Sequence, residues 1–231
     1  GGRLLAMVEY DHDTGLENFL ADFGITPRND LIVDPNPYNR VIGLGPASPM
    51  LIPTDEKHPI TKGLRVGVMS TARSLAIGAV SEEIDLEATI IPILSAGENA
   101  WGETNLEDDM AEEDDKDNNE DLFMGVVATA PTKGLDASKV SDQARLVVLG
   151  DCDWLNNQYF SKQQNKDLIL NILNWMADLE DRITIRPKYR SASQLDLDGE
   201  DLNYLKFFSM DLLPVLLLAM GFGVVLIRRQ R

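Results

Sequence analysis

The stretch from 145 to 176, RLVVLGDCDWLNNQYFSKQQNKDLILNILNWM, constrains the fold more than any other part of the chain. Leu146–Leu149 is short and wholly apolar, the pattern of a strand buried on both faces. An acidic turn and an Asn-rich loop follow. Apolar residues then return at helical spacing from Asn165 to Glu180, with Leu168, Ile172, Met176 and Leu179 in one stripe, widened by Ile169, Leu173 and Trp175. Strand, loop and helix in this order specify an α/β domain. The predicted architecture is an open, mostly parallel sheet flanked by helices, whose strand-end loops are where such folds bind ligands.

The rest of the chain is read on the same grammar. Arg3–Val8 is a buried strand, and Thr14 to Phe23 a helix, with Thr14 and Glu17 spaced as a capping box and Gly24 as its stop. Leu31–Val33 is a short strand ended by Asp34-Pro35-Asn36-Pro37, and the Pro- and Gly-rich residues 38–63 are an irregular excursion. Val66–Ser70 and Ser74–Val80 alternate weakly. Ala88–Leu94 is a clearer strand, with Pro92 placing it at an edge or a bulge, and Leu122–Thr129 is another.

Phe207 to Ile227 is a run of 21 residues interrupted only by Ser209 and Asp211 and followed by Arg228, Arg229 and Arg231. As a helix it is about 31 Å long, matching the ~30 Å hydrocarbon layer of a bilayer. The predicted organisation is therefore an α/β domain over 1–190, a connector over 191–206, a transmembrane helix over 207–227 and a basic tail over 228–231. Arginines mark the cytoplasmic side, so the main domain is expected outside the cell membrane with the C-terminus in the cytoplasm. The chain opens GGRLLAMV, directly on a strand, and reads as a fragment of a longer protein.

Charge narrows the partners. The net charge is −17, and residues 103–121 hold eleven acids against Lys116 alone, which accounts for −10 of it. A field of this sign repels nucleic acid, and the segment itself reads as a solvated excursion. A single cysteine, Cys152, excludes an intrachain disulfide and a Cys-rich zinc site. No phosphate-binding GxxxxGK[ST] loop is present, and no cofactor or metal is expected.

Cys152 follows a strand as a nucleophile elbow would, but Trp154 stands where a small residue is wanted, and the two histidines, His12 and His58, are distant in sequence. It reads as an inert, buried or half-buried thiol. Asp151, Asp153, Asn156, Asn157 and Asn165 lie at the expected ligand edge. Their short carboxylates and amides either bind sugar hydroxyls or a hard cation, or cap the helix and satisfy loop backbone. Trp101, flanked by Gly97 and Gly102, either stacks on a sugar or partner or folds onto the core as a lid.

Several stretches together carry a family resemblance. They are GGRLLAMV at 1–8, LADFGI at 20–25, HPITKGL at 58–64, ARSL at 72–75 and LSAGENAWGET at 94–104. ARLVVLGDCDWLNN at 144–157, NKDLILNILNWMADLEDRITIRPK at 165–188 and the closing LLPVLLLAMGFGVVLIRRQR complete the set. In this order the chain resembles the GldG-like family, auxiliary, substrate-binding-like membrane components of ABC transport systems associated with gliding motility. The resemblance implies an extracytoplasmic domain similar to class I glutamine-amidotransferase-like folds but without their catalytic machinery, a preceding domain and membrane helix, and ABC permease and ATPase subunits as partners. Cys152, where a small hydroxyl residue is expected, and the long acidic stretch depart from the pattern. Two other readings stand beside it: a carbohydrate- or peptide-binding sensor module at the cell surface, and an amidotransferase-like hydrolase.

Overall fold

Residues 1–81, 87–105, 111, 113–133, 141–180, 183 and 206–229 are described by the computed structural model. The apolar run around Leu146 is strand β10 (Gln143–Leu149), and Leu146 to Leu149 are at most 3% exposed. It lies between β1 (Arg3–Met7) and β9 (Phe123–Pro131). Beyond β9 come β7 (Thr89–Ser95), β4 (Met50–Pro53) and β5 (Gly67–Val68). Off this path, β2 (Ile25–Pro27) pairs with β6 (Leu75–Ile77), which joins β9, and β3 (Leu31–Val33) pairs with β8 (Trp101–Glu103) in a separate two-stranded sheet.

The sheet is mixed and mostly antiparallel, which corrects the expectation of a mostly parallel one. Among the described residues, β1 and β10 are the one parallel pair, in register from Arg3 opposite Arg145 to Met7 opposite Leu149. The parallel expectation needs each strand–helix unit to return beside its own strand. Helix α1 (Glu17–Asp22) has only six residues and leads instead to β2, which turns antiparallel to β6. Helix α3 (Asn165–Met176) follows β10 but precedes no further described strand.

Other local expectations resolve in detail. Glu17 accepts the Thr14 N–H (3.0 Å) and hydroxyl (2.9 Å), but the helix starts at Glu17 with Leu16 before it and no side-chain cap, so this contact braces the turn ahead of the helix instead of forming the predicted capping box; Gly24 stops the helix at φ +71°. A side chain at Gly24 would also stand 2.7 Å from the Gly78 carbonyl oxygen. Pro92 lies inside the sheet, where register shifts between Pro92 and Leu94 and between Leu94 and Ser95 accommodate its missing N–H. The supposed irregular excursion 38–63 contains β4 and is entered through α2 (Pro37–Val41), capped by Asn36 accepting the Tyr38 N–H at 3.0 Å. Short strands bracketed by prolines, such as Met50–Pro53, carry too little alternation to be seen in sequence.

Side chains of β10 and β9 alternate between two cores. Val147, Leu149 and Val127 face α3, which contributes Leu168, Ile169, Ile172 and Trp175. Leu146, Val148, Val126 and Ala128 face Leu20 of α1, with Val8, Ile25 and Leu75. The buried face of α3 is rotated from the predicted stripe. Asn171 is buried, its side-chain amide donating to the Ile60 carbonyl at 2.7 Å, whereas Leu173 is 50% exposed. Leu173→Gln is therefore expected to change the unfolding free energy by less than about 0.5 kcal/mol, as urea unfolding followed by far-UV circular dichroism would read.

Beyond α3 the chain is latched back to the parallel pair. Arg3 Nε donates to the Met176 carbonyl (2.7 Å), Arg3 pairs with Asp178 (2.7 Å), and Arg145 pairs with Asp178 (2.9 Å) and Glu180 (3.0 Å). The Arg145 guanidinium also lies 4.7 Å from the Trp175 ring centre.

The acidic stretch is partly tied down. Glu103, expected in solvent, is 5% exposed and accepts the Trp101 indole N–H (3.3 Å). Asn118 bridges to Gly102 through both backbone groups, and its amide donates to buried Asp30 (2.8 Å). Residues 106–110 and 112 lie outside the described part.

The chain divides into two units, Gly1–Arg186 and Pro187–Arg231. The predicted connector 191–206 lies outside the described residues except for Lys206. In the second unit, Phe207–Arg229 is one continuous helix, π-helical over Phe207–Leu212 and α-helical over Leu213–Arg229. It is long and apolar enough to cross a membrane, with a mean hydropathy of 2.4 and its apolar side chains exposed.

Candidate functional site

The parallel pair fixes where the site forms. β1 and β10 end side by side at Met7 and Leu149, and the chain leaves them as Val8-Glu9-Tyr10 and as Gly150-Asp151-Cys152-Asp153. Arg73 passes against the second turn, its N–H donating to the Gly150 carbonyl at 2.8 Å. A Cβ on Gly150 would collide with the Arg73 carbonyl. Glycine at 150 thus serves this backbone approach rather than a nucleophile elbow.

Asp151 is fully buried. One carboxylate oxygen accepts the Ser70 N–H (2.8 Å) and the other the Asp153 N–H (2.6 Å). Burial pushes its carboxyl up to about 7, against the lowering effect of those two donors and with a further rise from nearby Glu9 and Asp153. Glu9 reaches across from β1. Its carboxylate accepts the Cys152 N–H (3.2 Å) and thiol (3.0 Å), and the Thr71 hydroxyl (3.4 Å). One oxygen from each of Glu9, Asp151 and Asp153 falls within 4.8 Å of the others. Such a set offers the hard oxygen ligands that calcium takes, although Glu9 and Asp151 already accept hydrogen bonds from the protein.

Cys152 is exposed, contrary to the buried or half-buried position expected for it. Its thiol is pushed up to about 12, first by donating to Glu9 and then by partial burial and the surrounding carboxylates. A neighbouring carboxylate disfavours the thiolate, the opposite of what a histidine does for a cysteine nucleophile. At pH 8, alkylation of Cys152 by iodoacetamide is expected to be at least about tenfold slower than that of a free cysteine, allowing for solvent screening at this exposed group. Glu9→Gln should restore much of the rate, and equal rates in both proteins would remove Glu9 as the cause.

The other predicted site residues separate. Asn156 accepts the Gln158 (2.8 Å) and Tyr159 (3.1 Å) N–H groups, an Asx turn that shapes the exposed loop. Asn157 is exposed beside it. Asn165, at the start of α3, is buried, and its amide reproduces a strand pairing with β5. It accepts the Val68 N–H (2.9 Å) and donates to the Val68 carbonyl (2.7 Å), with a further bond to Tyr159 (3.0 Å). Trp101 belongs to β8, 9% exposed, with its indole N–H committed to Glu103. Asp151 and Asp153 therefore come together with Glu9, while Asn165 and Trp101 serve the interior. His58 is also interior, packed 5.2 Å from the Trp175 ring and accepting the Ile60 N–H at 3.2 Å; burial lowers its pKa.

Glu9 was not singled out from the sequence. Its signal is positional: it is the first residue past Val8, the predicted end of a strand, and a parallel neighbour of β10 brings such a residue to the same edge. That neighbour is fixed by a pairing across some 140 residues, which local patterns do not encode.

No protein-family model and no curated protein matches the chain. Among solved structures it is similar to one described as the mmIFT52 N-terminal domain, with a TM-score of 0.51 and 17% sequence identity over 76% of this chain. The chain spans 65% of that solved chain, and the likeness is one of fold.

Proposed function

We propose that this chain is the membrane-anchored, non-enzymatic part of an auxiliary subunit of an ABC transport system, of the GldG-like kind that its motifs resemble. The observation that carries the reading is the terminal helix, Phe207–Arg229, apolar on every side, exposed along its length and ending in Arg228 and Arg229. A helix of that kind following an acidic α/β unit suits a domain held at the outer face of the cytoplasmic membrane, with the arginines inside. The site chemistry agrees with binding more than turnover, because Glu9 holds the Cys152 thiol protonated. ATP hydrolysis would then come from a partner subunit. Affinity purification of the full chain from mildly solubilised membranes is expected to recover an ABC permease together with its ATPase. Repeated recovery without any ABC subunit would sink the reading.

A further inference from the structure

Beside the carboxylate cluster lies an open groove of about 440 Å³, lined by Asp11, His12, Asp13, Glu17, Asn29 and Arg73. Its distinctive wall is Arg73. The residue is 8% exposed, and its guanidinium donates through Nε to the Arg28 carbonyl (2.6 Å) and through Nη1 to the Glu9 carbonyl (3.0 Å). Among the described residues no carboxylate comes within 4.0 Å of it. Two carbonyls solvate part of the fork and hold it in place, and Asp30, Glu17 and Glu9 favour its charge from beyond ion-pair distance, by less than burial disfavours it. Such a group facing a cavity marks a place for an incoming anionic group, which the planar fork takes in bidentate fashion.

The rim has the opposite sign. Asp11, Asp13 and Glu17 line the same groove, and Asp13 and Glu17 are anchored by local bonds, one oxygen of Asp13 to the Gly15 N–H (2.9 Å) and one of Glu17 to Thr14. Asp11 is held at φ +58°, a conformation that few non-glycine residues adopt. A plain anion is repelled by this rim and a plain cation by Arg73. Opposite charges kept apart across a groove, rather than joined as an ion pair, suit a ligand that carries both.

We propose that this groove binds a small zwitterion of the α-amino-acid type, its carboxylate on the Arg73 guanidinium and its ammonium group among Asp11, Asp13 and Glu17. The site stands independently of any transporter partner and lies on the β1 side of the edge rather than in the Asp151–Asn165 loop.

Calorimetric titration and thermal unfolding of the full chain in detergent test it, with L-alanine, acetate, ethylamine and methyl α-D-glucoside each taken to tens of millimolar. L-alanine is expected to bind saturably, and the other three are not. Arg73→Lys, which keeps the charge but loses the fork, should weaken L-alanine binding by about tenfold or more. Asp13→Asn keeps the acceptor for Gly15 and should weaken it by roughly threefold to tenfold even if the Arg73 variant fails to fold. Absence of any L-alanine signal overturns the proposal. So does equal binding of acetate or of the glucoside, or unchanged L-alanine binding in a folded Arg73→Lys or in Asp13→Asn.

Discussion

Trp154→Ala is expected to remove about 3–5 kcal/mol of stability from the α/β unit, enough to leave it marginal. Trp154 is the largest fully buried side chain and sits in the α3-side core with Val147, Leu149, Leu168 and Ile172. It projects from a single 3₁₀ turn, Asp153–Leu155, between β10 and α3. The ring therefore pegs the loop that carries Asp151, Cys152 and Asp153, and the cavity left by alanine would loosen that loop as well as the core. Its indole N–H has no hydrogen-bond partner among the described residues, so Trp154→Phe, which removes an unsatisfied donor along with some volume, should cost much less. Urea midpoints from circular dichroism separate the three proteins. Equal midpoints for Trp154→Ala and the parent would show that the ring is not a core element.

The second large effect is a pH dependence centred on Asp151. Its folded-state carboxyl titrates at about 7, well above an unfolded aspartate near 3.9. Between those values the folded state binds more protons than the unfolded state, so stability falls as pH rises. The contribution of this group is best below about pH 4 and reaches its full penalty, about 4 kcal/mol, above about pH 7. Asp151→Asn removes the titration while keeping one oxygen for one of the two N–H donors. Its absolute stability drops at low pH, because the other donor meets an amide NH₂ group. The decisive quantity is the slope. The parent should lose stability relative to Asp151→Asn between about pH 4.5 and pH 7.5, and parallel curves would refute the buried, protonated carboxyl.

How much of this was legible depends on the range of the information. Local signals were faithful: the apolar run at Leu146–Leu149, the Thr14–Glu17 contact, the Gly24 stop and the long apolar helix all appear where spacing and composition put them. What failed depended on pairing. Nothing in the residues of α1 says that β2 will turn toward β6, so the pattern alone points to a mostly parallel sheet. Polar residues mislead a local pattern when their partners are distant backbone groups. Asn171 looks solvated in a helical pattern, yet its amide enters the interior to satisfy a carbonyl 111 positions away, and Asn165, read as a ligand-edge or capping residue, satisfies a strand edge 97 positions away. Glu9 and Arg73 also join the site through non-local contacts, 143 positions away for Glu9 and 45 and 64 for Arg73, so the sequence offers their chemistry without their position. Leu173 shows the converse, an apolar residue at the expected spacing that stays half in water.

The latch at the end of α3 also has a mechanical meaning. Tension applied to the chain after Glu180 is met first by Arg3 and Arg145, which grip Asp178, Glu180 and the Met176 carbonyl from adjacent strands. Those strands are the hydrogen-bonded parallel pair, so a pull there is distributed through the sheet instead of peeling α3 from its first exposed turn. The same two strands carry the Glu9–Asp151 edge at their far ends. Strain taken up at the latch thus enters the element that also positions the carboxylates.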